Sequence, residues 1–289
     1  MELAHSDSDR LKELGRFLQT RRHRLRPEQF GFATGSRRRT PGLRRGEVAS
    51  LAGVSVDWYT WLEQGRSIQV SAQVLESLAR ALQLDSNERR HLFLLGLRQP
   101  PPYPESPDIR ISPTLRQFLD GLGNSPAIVS DPRWNAVGWN RAACAVFGDY
   151  ETMSALERNL VWCAFTSISL RELLADRWEG HARRRLAQFR ASYGRFAGDP
   201  WWADMIEALS RVSAEFNEWW PQHDVLNSPE GENVIQHPEA GTLIFNHLSF
   251  QLNDNPDLQI TIKMPSETYD TASKLTQLLD NYSKRRGLD

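Results

Sequence analysis

The sequence predicts two domains of different class, an all-α unit of five helices followed by a mixed α/β unit with an antiparallel sheet and helices. Three observations carry this. Residues 45–65 read as two short helices around a tight turn. Residues 99–107, Gln-Pro-Pro-Pro-Tyr-Pro-Glu-Ser-Pro, are too proline-dense for helix or sheet and favour a stiff spacer. Beyond residue 230, three segments read as strands separated by Pro, Gly and Asn turns. The expected boundary lies near 105, giving domains 1–105 and 106–289 with a linker at 99–107.

Along the first domain, Leu11, Leu14, Leu18 and Leu25 share one helical face and predict a helix over 8–25. A Gly-, Arg- and Thr-rich loop follows, Gly31 to Gly42. The second helix starts near Leu43 or Arg44 and the third near Val56. Val48, Ala52, Val54, Tyr59 and Leu62 fall where these two helices bury each other, and Ala49 is small where they cross. Gly53 supplies the positive φ of the turn. Ser55 is a good N-cap, and Gly65 is placed to end the third helix. Ser71 caps a fourth helix with Leu75, Leu78, Ala79 and Leu82 inward. Asp85 and Glu88 form a capping box that opens a fifth helix, Ser86 to Leu95, ended by Gly96.

In the second domain, Thr114 to Gly121 reads as helix, Ala127–Ser130 and Trp134–Trp139 as paired strands around an Asp131-Pro132 turn, and Arg141 to Phe147 as a short helix. Longer helices are expected over Leu170–Tyr193 and Asp204–Trp220. Strands near Asn233–His237, Thr242–Gln251 and Leu258–Met264 form a meander, and a helix from Ser266 to about Tyr282 closes the chain.

Composition limits the function classes. Charged residues are 25% and the net charge is −1, yet residues 1–100 hold 17 Lys+Arg against 11 Asp+Glu, while the remainder holds 18 against 25. The basic half contains the helix-turn-helix, which suits one domain on a polyanion and another with a different task. No apolar run approaches the ~18 residues of a membrane span, and the N-terminus has no secretory pattern, so a cytoplasmic protein without membrane attachment is expected. Two cysteines, Cys144 and Cys163, exclude a disulfide framework. No Gly-x-Ser-x-Gly, phosphate loop or dinucleotide fingerprint is present, and His181, His223, His237 and His247 show no metal-ligand spacing. The expectation is no enzyme, no catalytic residues, no metal and no cofactor.

The helix-turn-helix points to double-stranded DNA, since its second helix enters the major groove. The outward residues of that helix are Ser55, Val56, Asp57, Thr60, Trp61 and Gln64. Thr60 and Gln64 can hydrogen-bond base edges, and Val56 and Trp61 can touch a thymine methyl. Asp57 either accepts from a cytosine or favours the helix N-terminus. Arg37, Arg38, Arg39, Arg44 and Arg45 are candidates for phosphate contact, with a solvated basic loop as the plainer alternative. One head buries a modest area, so a homodimer on a roughly palindromic operator is expected.

The stretches Arg37–Arg45, Leu51–Ser55, Trp58–Arg66, Ser71–Leu75 and Glu88–Phe93 closely resemble the MmyB-like branch of the XRE regulators, densely over residues 10–98. The likeness continues more thinly through Trp139-Asn140, Ala145–Asp149, Arg158–Leu160, Ala214–Phe216, His223–Val225, His237-Pro238 and Gly241. The resemblance implies a lambda-repressor-like five-helix domain and a PAS-like ligand-binding domain, hence a DNA-binding transcription regulator responsive to a small apolar ligand such as a fatty acid. The alternative is a second domain that serves only dimerisation or a protein partner. Eight of ten tryptophans lie beyond residue 130. For the ligand, Trp139, Phe147, Trp162, Phe165, Phe216 and Trp220 are candidate pocket lining, against ordinary core packing as the alternative. Asn140, Arg158 and His223 are candidate head-group partners, because a buried carboxylate needs them. Structural roles compete with each: Asn140 as a helix cap, Arg158 paired with Asp149 or Glu157, and His223 holding a backbone carbonyl.

Overall fold

Leu14, Phe17 and Leu18 turn inward from the first helix, α1 (Glu2–Arg24), and organise the N-terminal core. The computed structural model describes residues 2–33, 40, 42–102, 109, 111–196, 199–222, 232–253, 255–267 and 269–287. They fall into two compact units, 1–102 and 103–289. In the first, α1 is followed by α2 (Arg45–Ala52), α3 (Val56–Glu63), α4 (Ala72–Ala81) and α5 (Ser86–Leu97). The starts of α3, α4 and α5 are fixed by side chains. Ser55 Oγ accepts from Trp58 N, Ser71 Oγ from Val74 N, and Asp85 and Glu88 bond reciprocally. Helix α1 crosses α3 without space to spare. A Cβ on Gly15 would lie 2.3 Å from the carbonyl oxygen of Glu63.

Two expected boundaries move, and the first is the start of α1, which lies at Glu2 and not near Ser8. Gly96 does not end α5. The helix runs through it to Leu97, with Arg98 as the left-handed cap. Gly96 is needed instead for close packing, since a Cβ there would meet Leu75 Cδ1 at 2.7 Å.

The second unit is a five-stranded antiparallel sheet in the order β2-β1-β5-β4-β3, with β1 (Ala127–Ser130), β2 (Ala136–Trp139), β3 (Glu232–His237), β4 (Gly241–Gln251) and β5 (Gln259–Pro265). The late strands do form a meander, and the first hairpin adds to its free edge through β5. On the outer face, α6 (Pro113–Gly121) packs Leu115 and Leu119 against Ala127, Val129, Ile260 and Ile262. The inner face carries the larger core, under α7 (Arg141–Phe147), α8 (Leu160–Thr166), α9 (Ile168–Leu174), α10 (Trp178–Arg195), α11 (Pro200–Val212), α12 (Ala214–Trp219) and α13 (Thr271–Arg286).

The helical stretch departs from the sequence expectation in four places. The span 170–193 is two helices, broken where Ala175 takes φ 47° and a 3-10 turn intervenes. The span 204–220 is also two, because Ser213 Oγ accepts from Phe216 N and starts a new helix. Helix α8 was not anticipated. Its sequence Leu-Val-Trp-Cys-Ala-Phe-Thr has no polar face to give a periodic signal, and Asn159 starts it by accepting from Val161 N and Trp162 N. The closing helix begins at Thr271, not Ser266, and runs to Arg286.

Candidate nucleic-acid interface and ligand site

The turn between α2 and α3 is built on Gly53, whose φ of 68° lets Val54 N reach Ala49 O at 3.0 Å. Val48, Ala49, Tyr59 and Leu62 are buried by it. That leaves Ser55, Val56, Asp57, Trp61 and Gln64 exposed and Thr60 half-buried. Val56 and Trp61 expose 49% and 43% of their surface on the same face as these polar side chains.

Behind this face sits a charge network that the sequence reading missed. Glu63, at the inner end of α3, receives Arg22 Nε and Nη2, each at 2.8 Å, while Arg22 Nη1 donates to Leu43 O at 2.7 Å. Arg45 donates to the same carboxylate at 3.0 Å. Burial alone would raise the Glu63 carboxyl, but the two guanidiniums outweigh it and hold it below the usual range. The signal was present: Arg22 follows Leu18 by four, and Glu63 follows Tyr59 by four, so both charges sit on apolar stripes. Arg45 is thus tied in part to α3, whereas Arg44 is exposed at the start of α2. Arg37, Arg38 and Arg39 lie outside the described residues.

In the second unit the expected ligand residues do not share one chamber. Phe165, Phe216 and Trp220 form a packed aromatic group: Phe165 meets Phe216 edge-on at 5.1 Å, and Phe216 stacks on Trp220 at 5.6 Å. Phe216 has no exposed surface, so these rings are core rather than lining. Trp162 packs half-buried against the same core. Trp139 and Arg158 do come together, the guanidinium 5.7 Å from the ring, beside a cleft of about 550 Å³ that also touches Arg133 and Trp201. Arg158 pairs with neither Asp149 nor Glu157. Asp149 holds Arg286, and the Glu157 carboxylate accepts from Ser154 N. Phe147 lines a separate cleft of about 490 Å³ with Cys144, Leu173, His237 and Tyr282.

Asn140 is a fold residue. Its Oδ1 accepts from Ala127 N and Ala143 N, and its Nδ2 donates to Leu119 O and Ser125 O. A fully used amide has nothing to offer a head group. His223 lies outside the described residues. Cys144 and Cys163 are free thiols, both pushed up by burial.

A second unanticipated cluster lies on the inner sheet face. His247 and Lys263 are direct partners across β4 and β5, and the next pair on that face is Ser249 and Thr261. Ser249 Oγ is 3.0 Å from both Thr261 Oγ1 and His247 Nε2. Helix α10 contributes His181, Arg184 and Arg185. Lys263 is pushed down to about 8 by burial, Arg185 and Arg184. His247 is pushed to about 4 by burial, Lys263, Arg185 and Arg184. His181 is driven well below its ordinary value by burial and by the same cations, Arg185 foremost. Among the described residues no group of three or more His, Cys, Asp and Glu is placed to hold a metal ion, and no helix is long and apolar enough to cross a membrane.

A helix-turn-helix joined to a ligand-binding domain defines a transcription regulator. Residues 13–92 match the family described as helix-turn-helix domain. Residues 111–279, more than half of the chain, match the MmyB-like transcription regulator ligand binding domain. The chain belongs to the MmyB-like transcription regulators. Among curated proteins, none matches it.

Proposed function

We propose that α3 reads an operator in the major groove through Ser55, Val56, Asp57, Thr60, Trp61 and Gln64, and that the C-terminal domain binds a fatty-acid-type ligand. The single observation that carries the first half is the division of α3: Tyr59 and Leu62 are fully inside, while five of the six outward residues are exposed. Arg44 is the phosphate anchor of this proposal. Arg45 shares its guanidinium between Glu63 and the backbone of the DNA, and Arg37 to Arg39 extend the basic loop. The regulator works as a homodimer, because a single head of this size gives little specificity. Footprinting on the DNA flanking its own coding sequence tests this. Protection of two half-sites about one helical turn apart is expected. No protection at low ionic strength overturns it.

One observation favours a second reading. Leu248, Phe250 and Met264 expose 36%, 37% and 42% of their surface on the outer sheet face. On that reading the C-terminal domain only pairs two copies or holds a protein partner. Native mass spectrometry separates the two. A co-purifying lipid supports ligand binding, and a lipid-free dimer supports pairing.

A further inference from the structure

Among the described residues the two most deeply buried arginines have carboxylates. Arg22 has Glu63, and Arg133 has Asp199 at 2.7 Å. The inner-sheet cluster differs. Arg184, Arg185 and Lys263 converge with His181 and His247, and among the described residues no carboxylate acts on Lys263, His247 or His181. Among the described residues Arg185 has only uncharged partners: its Nη1 donates to Gln188 Oε1 at 3.2 Å, its guanidinium lies 4.8 Å from the Trp134 ring, and burial keeps the nearby Cys163 thiol and Tyr150 phenol protonated. The Arg185 Nε and His247 Nδ1 atoms are buried without a hydrogen-bond partner. Lys263 Nζ rests 5.8 Å from the Phe147 ring, and among the described residues no carboxylate pairs with it.

His181, Arg185, His247 and Lys263 are desolvated by burial yet keep part of their surface accessible. Groups behave so when they line an interior space rather than face bulk water. Unpaired buried charge and orphaned donors are destabilising, and such groups persist where a ligand completes them. Phe147 ties this space to an apolar route, since it also lines the cleft with Cys144, Leu173 and Tyr282.

We infer that the interior between α10 and the β4–β5 pair opens to receive the carboxylate of an amphiphilic ligand, with Lys263 and Arg185 as its cationic partners and His247 Nδ1 as a third contact. This rests on the ligand-binding reading above and replaces Asn140 as the head-group partner. The tail extends past Phe147 into the neighbouring cleft.

The test is binding of dodecanoate, dodecan-1-ol and dodecyl phosphate to the full-length protein, followed by tryptophan fluorescence and native mass spectrometry. Wild type is expected to bind dodecanoate at least about tenfold more tightly than the alcohol, the scale of one charge-assisted contact. Lys263→Met and Arg185→Met should each remove most of that preference while leaving alcohol binding unchanged. Because Lys263→Met removes an unpaired buried charge, its ligand-free protein should melt no lower than wild type, which separates lost binding from lost folding. Equal affinity for dodecanoate and the alcohol, or an undiminished preference in both variants, overturns the chamber assignment and leaves the ligand-binding reading intact. Stronger binding of the phosphate overturns the carboxylate assignment. If wild type binds none of the three, the ligand-binding reading itself fails.

Discussion

Arg22 and Glu63 meet in the buried interior as a two-pronged pair, both contacts at 2.8 Å, and this pair locks the first helix of the DNA-binding domain to the inner end of its recognition helix. A pair so enclosed is costly to break from one side, because the surviving charge stays buried. Glu63→Gln should lower the stability of the N-terminal domain by about 3–5 kcal/mol, read by urea denaturation. The effect is pH-dependent with a defined sign. The native Glu63 carboxyl lies below its ordinary value. Its stabilisation is therefore complete above about 4.5 and lost as pH falls through the native value. A wild-type-to-variant gap that stays constant down to pH 3 would contradict the pairing.

DNA contacts divide into those that position and those that specify. Arg44→Ala should weaken binding to every sequence and reduce the slope of log K against log salt by about 0.9. Gln64→Ala should instead cost about 1–3 kcal/mol at one operator position and leave the salt slope unchanged. Salt titrations on operator and mutated operator distinguish them. An unchanged slope for Arg44→Ala removes it as a phosphate contact.

Lys263 gives a signature at alkaline pH. Its native value of about 8 lies below the ordinary 10.5, so between these the unfolded chain binds more protons than the folded one. Stability contributed by this group rises with pH across that window, and its full cost is present below 8. Of the groups that face it, burial pushes Arg185 down to about 10, so it keeps its charge through the lower part of the window, while His181 and His247, both held below their ordinary value, are already neutral. The stability advantage of Lys263→Met over wild type should therefore shrink severalfold from pH 7.5 to 10. Denaturation midpoints of the two proteins, compared at each pH, check this, and a gap that does not change would mean Lys263 has a counter-ion.

Asn140 is expected to behave as scaffold. Asn140→Ala strands the buried Ala127 and Ala143 N–H groups, each worth about 1–3 kcal/mol when unpaired. Unfolding of the C-terminal domain should shift by roughly 3 kcal/mol, while the folded fraction retains its affinity for dodecanoate. A selective loss of carboxylate binding at unchanged stability would return Asn140 to the ligand.

The N-terminal domain was legible in sequence because its caps, turn glycine and apolar stripes agree residue by residue; Ser55, Ser71 and Asp85 each sit one residue before a helix. The ligand site was not. Aromatic content drew attention to Phe165 and Phe216, whose rings fill each other's space rather than a ligand's. Lys263 and His247 gave no local signal, since their meeting depends on strand register and on a helix far earlier in the chain. Side chains brought together across β4, β5 and α10 have no sequence spacing to betray them.

The two cysteines both belong to the C-terminal unit, and burial keeps them as unreactive thiols. Alkylation of the more enclosed Cys144 will therefore follow the opening of that unit, and the DNA-binding unit, which has no cysteine, stays invisible to the reagent. The chain carries its own clock for breathing of the sensory half, and the slowing of that clock by a candidate effector would reveal engagement without any added label.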